Sequence, residues 1–137
     1  MTAVLLDTCA VIWIGNGDPL STAALSAIER AAQGDGVLVS AVSAWEIGLI
    51  ASRRSPGAFD PDPVGWFDRV LTGFGVKLAP CTPAIMIASS ALPDWEHRDP
   101  ADRLIVATAR SLGVPVITRD KSILAYAGRR CVAAIAC

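Results

Sequence analysis

A chain of 137 residues has room for one core covered by helices, and 53% hydrophobic with 18% charged side chains suits a folded domain rather than a disordered segment. Twelve basic against 13 acidic residues, a net charge of −1, argue by their sum against a nucleic-acid partner, but the distribution matters more: from Arg98 onward seven basic residues face three acidic ones. No apolar run approaches the roughly 20 residues that span a bilayer, and the opening MTAVLLD lacks a basic n-region and a secretory apolar stretch, so a cytoplasmic protein off the membrane is expected.

In chain order, residues 3–7 (AVLLD) form a continuous apolar run that fits a buried parallel strand ending on Asp7, and TCAVIWI can begin a helix behind it. Helical periodicity over 21–33 (STAALSAIERAAQ) closes at Gly34 and Gly36 before a second strand at 37–40 (VLVS). A helix over 41–53 follows. The Pro, Gly and Asp rich stretch from Ser55 to Pro63 reads as a connection too short to divide domains. Helices at 63–73 and 83–91 flank a weak strand at 76–79, and Pro100 opens a helix over 100–112 that Gly113 and Pro115 close. The strand at 114–118 (VPVIT) leads to Asp120 and KSILAYA, with a weak strand at 131–136 last. Strands alternating with helices predict right-handed crossovers and an α/β fold of one domain, residues 1–137, around a parallel sheet of about five strands.

Four carboxylates stand out against that frame. Asp7 and Asp120 end strands, where an N-cap is the simplest reading but where ligand sites of open parallel sheets also lie. Glu46 shares a helix face with Val42, Ser43, Leu49 and Ile50, so it must sit at the helix edge, be protonated, or meet a cation. In RDPADRLIVATARSLG, Asp99 before Pro100 is accounted for as a cap, whereas Asp102 points back over the helix N-terminus. Gathered at one sheet edge, such hard oxygen ligands suit Mg²⁺ or Mn²⁺. Cys9, Cys81, Cys131 and Cys137 have no CxxC spacing and a single His for company; they read as reduced and mostly buried, not as a zinc site.

The segments LLDTCAVIW, SAVSAWEIG, HRDPADRLIVATA and VITRD, in this order and spacing, resemble the PIN domain and within it the VapC-type toxins of bacterial toxin and antitoxin pairs. The resemblance covers nearly the whole chain. It implies a PIN-like three-layer α/β/α sandwich, a Mg²⁺ or Mn²⁺ dependent endoribonuclease acting on RNA, inhibition by a cognate antitoxin, and a homodimer. It places the catalytic and metal site on Asp7, Glu46, Asp102 and Asp120, with Asp99 as an added acid of the DPxDR variant and Thr118 as a supporting hydroxyl.

Metal-activated water attacking in line would leave 5′-phosphate and 3′-hydroxyl ends. Arg98, Arg103, Arg119 and Lys121 flank the acids and could hold phosphates, Arg103 and Arg119 foremost; His97 reads as a surface residue and the tryptophans as core or interface. A metal-dependent phosphatase or phosphoryl-receiving domain also uses strand-end Asp residues, but Thr8 and Cys9 follow Asp7 in place of a DxD pair, and Lys77 is poorly placed. A non-catalytic binding module whose acids only cap helices stays open. The apolar surplus predicts a partner groove on the helices at 41–53 and 63–73; the resemblance adds that an antitoxin tail could place an Arg among the acids.

Overall fold

The computed structural model describes residues 2–53, 58–60 and 62–137, so part of the connection expected from Ser55 to Pro63 lies outside the described residues. Five strands, β1 (Val4–Leu6), β2 (Val37–Ser40), β3 (Lys77–Ala79), β4 (Val116–Thr118) and β5 (Ala134–Ala136), form one sheet in the order β3-β2-β1-β4-β5. Every neighbouring pair is parallel. The helices are α1 (Thr8–Asn16), α2 (Thr22–Gln33), α3 (Ala41–Arg53), α4 (Pro63–Gly73), α5 (Pro83–Ser89), α6 (Pro100–Leu112) and α7 (Lys121–Gly128).

The three layers follow from strand alternation. Val4 and Leu6 join one core with Ala10 and Val11 of α1, Ala24, Ala27 and Ala31 of α2, and Trp66, Phe67 and Val70 of α4. Leu5, between them, joins a second core with Ile105, Val106 and Ala109 of α6 and Ile123 and Tyr126 of α7. Leu5 and Leu6 are fully buried, one on each face, so truncating one of them to Ala costs about 2–5 kcal/mol. Helix α3 starts directly at the end of β2 and belongs to both cores, Val42 to one and Ile47 to the other. It thereby crosses the carboxyl edge of the sheet and carries Glu46 there.

The chain runs outward from β1 to β2 and β3, then returns through α6 to β4 on the other side. This reversal opens a crevice beyond the carboxyl ends of β1 and β4. The edge strand β3 exposes Lys77 and Leu78, and β5 is only half-buried, which explains their weak signatures. One expectation is corrected: the four cysteines are all partly exposed rather than mostly buried. Trp66 lies in the core, whereas Trp45 is 49% exposed. No helix of the described residues is long and apolar enough to cross a membrane.

Candidate active site

The crevice is a cleft of about 670 Å³ whose lining includes Asp7, Asp18, Glu46, Asp99, Asp102 and Asp120, with Arg119 as its cation. The four acids expected to converge do so, and each arrives for a local reason. Asp7 ends β1 and caps α1, its Oδ1 accepting from the Thr8 N–H at 2.7 Å. Its Oδ2 accepts from the Thr118 hydroxyl at 2.6 Å, so a residue of β4 fixes the carboxylate of β1. Asp120 caps α7 by accepting from the Ile123 N–H at 3.0 Å, while its own N–H donates to Thr118 Oγ1 at 2.9 Å. One hydroxyl thus ties two of the acids together.

Glu46 is half-buried and its Oε1 accepts from the Thr8 hydroxyl, which also lies 2.9 Å from Ser43 Oγ. Asp99 is the cap of α6, its Oδ1 accepting from the N–H groups of Ala101 and Asp102 at 2.9 and 3.2 Å. Asp102, on the first turn, is buried at 8% exposure and lies with Oδ2 3.1 Å from His97 Nε2. His97, read from sequence as a surface residue, is indeed 42% exposed but touches the acidic cluster directly.

Among the described residues, Arg119 is the one Lys or Arg lining the cleft. Burial raises the pKa of Asp7 above its ordinary value, against the hydrogen bonds from Thr118 and Thr8, and burial likewise raises Glu46. Asp102 is pushed up to about 8, first by burial and then by Asp99, Asp120, Asp7 and Glu46. The Arg119 guanidinium is engaged elsewhere: it lies 3.6 Å over the Trp13 ring and donates to the carbonyls of Cys137 and Pro19. Arg103 donates from Nε to the His97 carbonyl at 3.1 Å and is not among the residues lining the cleft. Cys9 lines the cleft, yet burial and then Asp7 push its thiol up to about 12, which removes it as a thiolate nucleophile. A cluster of hard, partly desolvated oxygen donors is chemically fitted to a divalent metal ion. Among the described residues, the ligand atoms that lie within 4.8 Å of one another are those of His97, Asp99 and Asp102, while Asp7, Glu46 and Asp120 share the cleft with Asp99 and Asp102.

The PIN-domain family model matches residues 4–129. The chain belongs to the PIN-domain family. Its sequence is similar to Ribonuclease VapC22 of Mycobacterium tuberculosis (strain ATCC 25618 / H37Rv), 34% identical over 127 residues that cover 92% of this chain and 93% of that one. The PIN fold recurs in the structure of VapBC2 from Rickettsia felis bound to a DNA fragment from their promoter, with TM-score 0.72, 12% identity and 98% of each chain covered. It recurs again in VapBC-5 from Mycobacterium tuberculosis, a member of the VapBC family of toxin-antitoxin systems, with TM-score 0.61, 19% identity and both chains covered in full. At such identities these two structures establish the fold.

Within this PIN domain, Thr8, Ser43 and His97 are the site residues that sequence reasoning missed. Thr8 and Ser43 carried a usable signal, since one follows a strand-end Asp and the other lies three residues before Glu46 on the same helix face. His97 carried none, because only the path of the loop before α6 brings it to Asp102.

Proposed function

We propose that the chain is a divalent-metal-dependent endoribonuclease and the toxin half of a toxin-antitoxin pair, acting as a single domain over residues 1–137. The observation that carries the reading is the gathering of Asp7, Glu46, Asp102 and Asp120 in one cleft at the switch point of a PIN sheet, where the lining Arg119 is stacked over Trp13. Ribonuclease VapC22, the similar sequence, supports RNA as substrate.

A bound Mg²⁺ or Mn²⁺ supplies positive charge at the phosphorus and lowers the pKa of water. The chain's own residues do the rest. Thr118 and the Thr8 N–H fix both oxygens of Asp7 in direction, and Thr8 locks Glu46 beside it. Glu46 keeps Oε2 to accept the proton of the attacking water, and Asp102 and Asp120 complete the donor set. With water as nucleophile, the ends are 5′-phosphate and 3′-hydroxyl. Asp99 supports the set by capping the helix that carries Asp102. Arg119 at the cleft wall is placed to meet a phosphate, whereas Arg103 acts by holding the His97 loop.

The phosphoryl-receiving alternative loses its lysine. Lys77 opens β3 and its Nζ lies by Gly36, at the end of the sheet away from the acids. For the antitoxin, a groove of about 210 Å³ is lined by Ala44 and Gly48 of α3 and Val64 and Phe67 of α4, and α3 also exposes Trp45 and Leu49. Leu78, Met86 and Ile87 are a separate exposed apolar set that suits a homodimer contact. A cytoplasmic location accords with both roles. The reading is tested by incubating the protein with folded RNAs in Mg²⁺, in Mn²⁺, in EDTA and as Asp7→Asn. Cleavage in the first two lanes alone is expected; intact RNA in all lanes, equal cleavage by the variant, or 2′,3′-cyclic phosphate ends would sink it.

A further inference from the structure

The acidic cleft answers for one phosphate of the substrate and leaves the others unexplained. RNA carries a negative charge at every linkage, and a metal ion in the cleft meets the reacting one only. Arg119 is the one cation among the residues lining the cleft, so neighbouring phosphates need cations outside it.

His97 is the wall between the cleft and a second groove. Its Nε2 touches Asp102 on one side, while on the other it lines a groove of about 410 Å³ with Trp95, Glu96, Lys121, Ser122 and Arg129. Across that wall the charge reverses: six carboxylates and one arginine line the cleft, and two cations with a single carboxylate line the groove. Lys121 follows Asp120 directly, so one turn of chain delivers an acid to the cleft and a cation to the groove. The groove is also built rather than loose. Arg129 donates to the Asp94 carbonyl at 3.3 Å with its guanidinium 5.8 Å from the Tyr126 ring, and Tyr126 in turn donates its hydroxyl to the Pro93 carbonyl. Trp95 packs edge-on against both Tyr126 and His97, with ring centres 4.9 and 5.9 Å apart.

We propose that this groove binds the RNA backbone adjoining the scissile phosphate, with Lys121 and Arg129 each meeting a phosphate. The inference rests on the nuclease reading and deepens it, because it assigns the path of the strand beyond the metal site. The strand passes from the cationic groove over His97 into the cleft, and the groove supplies the attraction that the acids deny.

The test measures the affinity of the full chain for a labelled single-stranded RNA of mixed sequence in EDTA, over a series of salt concentrations. Lys121→Ala with Arg129→Ala is compared with Arg30→Ala with Lys77→Ala, which removes the same charge from α2 and the edge strand. The groove pair is expected to lose on the order of tenfold in affinity at moderate salt and to flatten the salt slope by about 0.7 for each cation removed. The remote pair should barely change the slope. Lys121→Arg with Arg129→Lys keeps both charges and should bind as wild type; were the groove pair to melt early, Lys121→Gln alone should still show half of the slope change. A groove pair with the wild-type slope, or a remote pair that flattens it equally, overturns the proposal. Cleavage of the same RNA in Mg²⁺ is scored in parallel. Cleavage with an unchanged slope overturns the groove alone, and absent cleavage with groove-dependent binding overturns the nuclease reading alone.

Discussion

The two edges of the sheet hold acids of the same type in opposite circumstances. At the amino edge, Asp35 is exposed and accepts from the Thr2 N–H at 2.9 Å and from the Thr2 hydroxyl at 3.3 Å, and chiefly the first of these lowers its pKa. At the carboxyl edge, Asp102 is buried among four other carboxylates and is pushed up to about 8. Asp35 is explained by the fold it closes. Asp102 is a burden on the fold, and such a burden persists where a ligand relieves it. The contrast separates acids that serve structure from acids that serve chemistry, and it can be broken at several points.

The largest effect falls on cleavage. Asp7→Asn keeps the size of the side chain and removes a charge from the donor set, so RNA cleavage in Mg²⁺ should fall on the order of 10³-fold, as expected for losing several kcal/mol of charge stabilisation. Asp35→Asn should leave the cleavage rate at wild type. A comparable loss from both variants would erase the distinction between the edges.

The next effect concerns stability and its sign. Asp102 has a folded pKa above its unfolded one, so between roughly pH 4 and 8 the native state binds more protons than the unfolded chain. Its contribution therefore makes the metal-free protein less stable as pH rises through that window. Asp35 has the opposite sign: its stabilisation is present above the unfolded pKa of 3.8 and is lost as pH falls through the lowered folded value. Asp102→Asn should raise the melting temperature of the metal-free protein at pH 8 by a few degrees and flatten its decline from pH 5 to 8. Asp35→Asn should lower the melting temperature slightly at neutral pH. Thermal melts across pH would contradict the account if Asp102→Asn melted below wild type at pH 8.

Much of this contrast is legible in the sequence. Asp7 and Asp120 are legible because each ends an apolar run too short for a helix, and Pro100 separates the cap Asp99 from the turn that carries Asp102. Glu46 is legible as a carboxylate on an apolar helix face. What stays hidden is contact between distant segments. Arg119 looks free in the sequence, but its partners Pro19 and Cys137 lie far along the chain on either side. His97 depends on a loop that turns through a positive φ of 56° at Asp94, and nothing in its spacing announces Asp102. Whether Trp45 belongs to the core or to a surface is also hidden, because α3 straddles two cores and turns part of an apolar stretch outward.

A smaller effect sharpens the division within the carboxyl edge itself. Asp99 acts as a cap, so Asp99→Ala should cost about 1 kcal/mol of stability, and Asp99→Ser, which keeps an acceptor at that position, should recover most of it in denaturant unfolding. Asp102→Ser should show no such rescue of cleavage. Smaller still is the loss expected at the apolar face of α3, where Trp45→Ala should weaken antitoxin affinity about tenfold, since one exposed aromatic anchor contributes on that scale. Unchanged affinity would move the antitoxin elsewhere.

The most direct measurement is a calorimetric titration of Mn²⁺ into the full-length protein, wild type and Asp102→Asn, without RNA. If the carboxyl-edge acids await a divalent cation, the wild type binds Mn²⁺ saturably and the variant binds it at least about tenfold more weakly. No saturable binding by the wild type, or equal binding by Asp102→Asn, would contradict the claim that this cluster is a metal centre.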